Sequence, residues 1–288
     1  MKLLRYGMSA TGASGGNEKP GMLDDSGVLR DLSGMVSDIA GETLLPENIE
    51  RLRNTDPVTL PEVEGNPRLG PCVGQIGKFI CIGLNYSDHA KEAGLSVPPE
   101  PIIFTKYTSA ICGANDDVII PRNSVKTDWE VELGVVIGKP AKYVDEKSAL
   151  DHVAGYCVIN DISERDFQFE RSGQWVKGKS CDTFGPTGPW LVTPDEVGDP
   201  QNLNLWLEVD GKRYQDGNTR TMVYGVAHLI HYLSQFFTLH SGDIISTGTP
   251  PGVGLGQKPE PIYLRAGQTM HLGIEKLGVQ TQNLVAEK

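Results

Sequence analysis

The stretch Asp128-Trp129-Glu130-Val131-Glu132-Leu133-Gly134-Val135-Val136-Ile137-Gly138 constrains the fold more than any other. Apolar Trp129, Val131 and Leu133 alternate with Glu130 and Glu132, which is the two-residue period of a strand. Side chains two apart on a strand point the same way, so the two glutamates share a face and repel. Leu133 to Ile137 are almost continuously apolar, as expected of a strand buried on both faces. Carboxylates at the mouth of such a strand lose hydration. One reading is that a carboxyl keeps its proton or a hard divalent cation sits between the two. The other is a polar strand face open to water. The pattern alone leaves both standing.

Composition narrows the function. The formal net charge is −11 with no long basic run, which argues against a nucleic-acid partner and an anionic membrane surface. Five cysteines (Cys72, Cys81, Cys112, Cys157, Cys181) form no CxxC pair. They suit a reducing cytosol and argue against thiolate-bound zinc, so a cytoplasmic location is expected. The apolar run after Lys2 is too short for a signal peptide, and no stretch is long and apolar enough to cross a bilayer as a helix. Abundant glycine and proline predict many short strands and turns.

Along the chain, Lys2–Tyr6 reads as a strand, Ser9–Gly16 as a loop, and the segments around Asp24-Asp25-Ser26 as a hairpin. Pro46–Leu52 fits a short helix with Pro46 at its first position. The proline-rich stretch Asn54–Pro71 reads as a linker, so residues 1–70 form a small N-terminal α/β unit and 71–288 the main domain.

In the main domain, Gly77–Gly83 is an apolar strand. A short helix follows, capped by Ser87 or Asp88 and ended by Gly94. His89 and Glu92 are neighbours on it. A carboxylate orients an imidazole and raises its basicity, giving a general base for water, although a surface ion pair would look the same. Ile102–Phe104 and Asp117–Ile120 are further strands, and Lys147–Val153 reads as a helix. Gly155–Asp161 is a strand that ends in a carboxylate. The chain then turns into a helix with Ser163 and Asp166 as a capping pair, and Asp161, Arg165 and Gln168 share one side of it. Asp161 also fits a plain helix N-terminal carboxylate, and Arg165 a salt bridge.

Gln174–Ser180 reads as extended and charged, and Cys181–Pro189 as a turn-rich loop. Leu203–Val209 alternates as a strand before a turn at Asp210-Gly211, and Val226–Phe237 has helical spacing. His228, His231 and His240 lie at no metal-ligand spacing. Near the end, a strand delivers Thr247-Gly248-Thr249-Pro250, whose amides and Thr249 hydroxyl could grip a carboxylate. Gly252, Gly254 and Gly256 do not open a dinucleotide site, because Pro259 and Pro261 follow where a helix would begin.

The combination is more specific than its parts. Gly83-x-Asn85-Tyr86-x-Asp88-His89-x-x-Glu92, Glu130-x-Glu132-Leu133-Gly134, Asn160-Asp161 with Arg165, Lys179-Ser180 and Thr247-Gly248-Thr249-Pro250 occur in this order. The chain resembles the fumarylacetoacetate hydrolase family over roughly residues 77 to 277. The resemblance implies an α+β, mostly β fold, a mixed β-sandwich roll, usually homodimeric. It implies Mg²⁺ or Mn²⁺ held by Glu130, Glu132 and Asp161. It implies a water-activating pair in His89 and Glu92, an active-site Lys179, and substrate contacts from Tyr86, Arg165, Gln168 and Thr249.

The segments Met1–Gly7, Glu18–Gly21 and Gly178–Pro186 resemble the branch that hydrolyses 2,4-diketo-3-deoxy sugar acids of the L-rhamnonate and L-fuconate type. The activity so implied is hydrolysis of a 2,4-diketo acid to pyruvate and a carboxylic acid. Rival activities are an oxaloacetate-type decarboxylase or keto–enol isomerase, a ureidoglycolate lyase, and a silent metal- or ligand-binding protein. Retained His89 and Glu92 argue against the last, because metal binding needs neither.

Overall fold

The computed structural model describes residues 1–8, 17–88 and 98–287. The loop expected over Ser9–Gly16 and the helix expected around His89 and Glu92 therefore lie outside the described residues.

The glutamate-bearing strand is the middle of the molecule. Val131–Ile137 is buried at all seven positions, as its apolar run predicts. It pairs antiparallel with Val153–Asn160 on one side and with Ile244–Ser246 on the other. The backbones come so close that Gly134 has no room for a side chain. A Cβ there would lie 2.6 Å from Ile159 Cδ1 and 2.7 Å from Cys157 Sγ.

This strand belongs to a ten-stranded mixed sheet. Its order runs Leu29–Asp31, Lys19–Leu23, Lys2–Tyr6, Gly185–Val192, Val153–Asn160, Val131–Ile137, Ile244–Ser246, Phe79–Gly83, Ile102–Lys106. The tenth strand, Ile111–Gly113, pairs parallel with Gly185–Val192. A second sheet has five strands in the order Lys212–Asn218, Asn204–Val209, Thr269–Ile274, Gly278–Ala286, Val118–Ile120. The fold is mostly β with mixed sheets, as the family resemblance implied. The N-terminal hairpin extends the large sheet, since Lys2 pairs with Val192.

Two apolar clusters cover the two faces of the large sheet. Val131, Leu133, Val135 and Ile137 pack with Leu205, Leu207, Met270 and Leu272 of the five-stranded sheet and with Leu229, Ile230 and Leu233 of the helix Val226–Phe236. Val136, Ile159 and Ile244 instead join Leu3, Leu44, Ile49 and Leu52, so the N-terminal segment and its helix Pro46–Arg53 close the opposite face. Glu130 and Glu132 have the parity of Val136, which puts them on this second side.

Several local readings change. Gln174–Ser180 is not extended: Val176–Lys179 forms a helical turn in which the Gly178 and Lys179 amides donate to the Trp175 carbonyl. Coiling leaves Lys177 exposed and buries Lys179, which an alternating strand would have put on one face. The expected loop Cys181–Pro189 becomes the buried strand Gly185–Val192 from residue 185 on. Its glycines and prolines mask it in sequence, and strands from distant parts of the chain supply its pairing. Glu146–His152 is a 3₁₀ helix rather than an α-helix. The cap before Arg165–Phe169 is Glu164, whose carboxylate accepts from the Asp166 amide at 3.2 Å, while Ser163 Oγ donates to the Asp161 carbonyl at 2.9 Å.

Candidate active site

Two backbone ties bring the carboxylates together. The Asp161 amide donates to the Glu130 carbonyl at 2.8 Å, and the Glu130 amide donates to Asn160 Oδ1 at 3.2 Å. Neighbouring strands therefore present Glu130 and Asp161 side by side, with Glu132 one pleat further along. Oxygens of Glu130, Glu132 and Asp161 all lie within 4.8 Å of one another, and all three residues are buried.

Cations answer two of the three. Lys179 Nζ donates to Glu130 and to Asp161, each at 2.7 Å. Arg165 spans Glu130 at 2.7 Å and Asp128 at 2.8 Å and donates to Gln168 at 3.0 Å. Lys106 Nζ binds Asp161 and the Ile162 carbonyl, the latter at 2.9 Å. Burial disfavours charge on Glu130, but Lys179 and Arg165 outweigh it and hold that carboxyl well below the usual range. Burial likewise works against the Lys179 ammonium, and Asp161 and Glu130 overcome it.

Glu132 differs. Among the described residues its carboxylate is met only by neutral donors, Ser246 Oγ at 2.6 Å and the Gly248 amide at 2.9 Å. Burial, then Asp161 and Glu130, push its carboxyl well above the usual range. Four carboxyls, Asp128, Glu130, Glu132 and Asp161, thus face three cations, Lys106, Arg165 and Lys179, and Glu132 is the one that favours its proton unless a further cation takes its place. A buried carboxylate without a counter-charge, flanked by two more at ligand distance, is an all-oxygen donor set that fits Mg²⁺ or Mn²⁺.

The cavity above these groups is about 300 Å³. Glu130, Glu132, Arg165, Gln168, Lys179 and Thr249 line it, so it gathers most of the residues expected from sequence. Thr249 is largely committed elsewhere. Its hydroxyl donates to the Val131 carbonyl at 2.9 Å and accepts from Gln215 at 2.8 Å. Tyr86 is fully buried near Glu132, burial and that charge push its phenol up, and its hydroxyl has no hydrogen-bond partner among the described residues. His89 and Glu92 lie outside the described residues.

Sequence reading missed Lys106, Asp128 and Gln215. Asp128 had a signal, since it shares the parity of Glu130 and Glu132. It accepts from the Gly254 and Leu255 amides at 2.6 and 2.9 Å and so pins that turn beside the cavity. Lys106 had none, because it reaches Asp161 only once Ile102–Lys106 pairs with Phe79–Gly83.

Comparison with known proteins identifies the family. Residues 78–285 match the family profile described as fumarylacetoacetate (FAA) hydrolase C-terminal. A Burkholderia multivorans protein, named provisionally as a hydrolase, is 66% identical over 282 residues, 98% of each chain. Fumarylacetoacetate hydrolase from Exiguobacterium antarcticum is 33% identical with a TM-score of 0.85 over 100% of both chains. Maleylpyruvate hydrolase from Sphingobium, solved with manganese(II) and pyruvate, is 26% identical with a TM-score of 0.81, again over 100% of both. A 2-hydroxyhepta-2,4-diene-1,7-dioate isomerase from Mycobacterium marinum is 30% identical with a TM-score of 0.74 over 100% of this chain and 99% of that one.

Proposed function

Since the chain belongs to the fumarylacetoacetate hydrolase family, we propose that it is a divalent-metal-dependent hydrolase cleaving a 2,4-diketo acid to pyruvate and a carboxylic acid. The substrate class we assign is the 2,4-diketo-3-deoxy sugar acids of the L-rhamnonate and L-fuconate type, and the active form a homodimer. The observation that carries the reading is the single uncompensated carboxylate, Glu132, within a cluster of three. With Glu132 ionised, its negative charge, a divalent ion and the carboxylate of a keto acid together balance.

Glu130, Glu132 and Asp161 would hold Mg²⁺ or Mn²⁺. When bound, the ion supplies Lewis-acid stabilisation of negative charge on the keto-acid oxygens. Glu92 orients His89, and His89 takes a proton from water. The hydroxide adds to the C4 carbonyl. Lys179 and Gln168 donate hydrogen bonds to the oxygen that becomes negative there. The C3–C4 bond then breaks, the electron pair goes to the C3 fragment, and protonation at C3 gives pyruvate. The water oxygen ends in the new carboxylate. Arg165 holds Glu130 and Gln168 in register for this step.

Pyruvate release is the test, with Mg²⁺ or Mn²⁺ added, on acetylpyruvate, 2,4-diketo-3-deoxy-L-rhamnonate and L-fuconate, oxaloacetate and ureidoglycolate (the last scored by glyoxylate). Metal-dependent pyruvate from a diketo acid, lost in Glu132→Ala, is the expected result. Activity on oxaloacetate alone would replace hydrolysis by decarboxylation. The likeness to a dienedioate isomerase favours keto–enol isomerisation as the second reading. In solvent labelled with ¹⁸O, only the hydrolase makes a labelled carboxylic acid by cleavage.

A further inference from the structure

The strand Gly278–Ala286 breaks the apolar rule of the core. Its positions 280, 282 and 284 point inward, and two of them are glutamines. Gln280, Gln282 and Asn160 are each 0% exposed. An amide buried without partners is costly, so such groups are stable only where their donors and acceptors are met. Here they meet one another. Gln280 Nε2 donates to the Val158 carbonyl at 2.8 Å and to the Gly188 carbonyl at 2.9 Å. Gln282 Nε2 donates to the Ala114 carbonyl at 2.6 Å and to Gln280 Oε1 at 2.9 Å. Asn160 Nδ2 donates to Gln282 Oε1 at 3.1 Å, and Asn160 Oδ1 accepts from the Glu130 amide at 3.2 Å.

This series has one direction. The Val158, Gly188 and Ala114 carbonyls accept and cannot donate, so each glutamine turns its NH₂ toward them and its oxygen toward the next amide. That leaves the Asn160 NH₂ facing Gln282 and the Asn160 oxygen facing Glu130. Reversing the Asn160 amide would set its NH₂ against the Glu130 N–H and its oxygen against the Gln282 oxygen. The polarity ends where the two carboxylate-bearing strands part. Their pairing closes at Asn160 opposite Val131. One residue further, the Asp161 amide donates to the Glu130 carbonyl at 2.8 Å. Both backbone groups of Glu130 are therefore held by the dipeptide Asn160-Asp161, one through the main chain and one through the Asn160 side chain.

From this we propose that Asn160 is a positioning residue for the metal centre, and that Gln282 and Gln280 act through it by fixing which way its amide points. The inference rests on the reading of Glu130, Glu132 and Asp161 as ligands of Mg²⁺ or Mn²⁺. Lys179 ties the Glu130 and Asp161 carboxylates at their tips, and Asn160 ties the backbones that carry them. The five-stranded sheet, which supplies none of the three carboxylates, thereby reaches the centre through two glutamines. Apolar side chains of similar size at 280 and 282 would fill the same space and leave the Asn160 amide free to turn.

The experiment titrates Mn²⁺ into the full-length protein by calorimetry, with Tm and hydrogen exchange at the Glu130 amide read on the metal-free samples. Asn160→Leu removes the acceptor and should weaken Mn²⁺ binding by about 10- to 100-fold, the usual effect of losing a group that orients a metal ligand. Gln282→Met touches neither carboxylate and keeps the core filled, yet should weaken binding by about 3- to 10-fold and speed exchange at Glu130. Gln280→Met should do least, because the Ala114 carbonyl still orients Gln282. If Asn160→Leu does not fold, the two glutamine variants carry the same test. A space-filling role predicts a lower Tm in each variant with the Mn²⁺ Kd and the Glu130 exchange at wild-type values, and that result overturns the proposal while leaving the metal reading intact. Equal loss of affinity in every variant also overturns it, because a directed series requires the effect to fall with distance from Glu130. Wild-type protein that binds no Mn²⁺ overturns the metal reading, and this proposal with it.

Discussion

The central strand carries two regions that differ by a single residue of offset. Val131, Leu133, Val135 and Ile137 face the apolar layer shared with the five-stranded sheet. Glu130 and Glu132 face a layer of ions that includes Lys179, Arg165 and Asp161. The first region gains free energy from leaving water, roughly in proportion to apolar area. The second gives up hydration and regains it only where partners are well placed. The pleat lets both be built on one backbone, and a register slip of one residue would exchange them. Stability and chemistry are thus separable by parity, and that separation can be tested.

The largest contrast should come from adjacent substitutions. Leu133→Ala opens a hole in a fully buried layer and should cost about 2–5 kcal/mol in denaturant unfolding, with the substrate preference of the remaining folded enzyme unaltered. Glu132→Gln should do the reverse, lowering kcat by about 10³-fold or more while leaving the fold intact. Its effect on stability should depend on pH. The Glu132 carboxyl is raised in the folded protein, so the folded state favours its proton. Wild-type metal-free protein therefore bears no cost below the ordinary carboxylate range and an increasing one as pH rises through the folded value. The Tm of Glu132→Gln relative to wild type should rise with pH over that interval. A constant difference would mean that Glu132 is not the uncompensated group.

Lys106→Met probes the ionic layer from behind. It strips Asp161 of one of its two lysines in a buried setting, and removing one member of a buried pair costs about 3–5 kcal/mol. Added Mn²⁺ should recover part of that loss, since a cation replaces the missing charge. A variant as stable as wild type without metal would show that Lys179 alone suffices. The smallest effect belongs to Gly134→Ala, on the same parity as the glutamates. Its Cβ meets Ile159 and Cys157, which must shift, for about 1–3 kcal/mol.

Much of this was readable in the chain. The hairpin at 24–26, the helix expected over Val226–Phe237 and the turn at Asp210-Gly211 are local patterns, and each forms, the helix ending at Phe236; the strand expected from Asp128 forms from Val131 on. Spacing paired Glu130 with Glu132 on one strand face but left Asp161 open as a helix N-terminal carboxylate, and only the family resemblance joined the three into one set. What escaped depends on distant partners. Lys106 is an unremarkable residue until Ile102–Lys106 docks, and Gly185–Val192 is unconvincing as a strand until Lys2–Tyr6 and Val153–Asn160 flank it. The aromatic wall of the cavity escaped for the same reason. Phe104, Phe169 and Trp175 line it from separate elements, and only packing shows that they form one surface.

That distribution bears on where the molecule tolerates change. Glu132 stands on an interior strand, and Glu130 and Asp161 adjoin the ends of two, where any change propagates to neighbours on both sides. Phe104 stands on the end strand of the sheet, Phe169 closes a five-residue helix, and Trp175 precedes a four-residue one. Replacing these residues disturbs little backbone pairing. Substitution at these peripheral positions therefore reshapes the cavity wall while the strands that carry the ionic cluster keep their pairing.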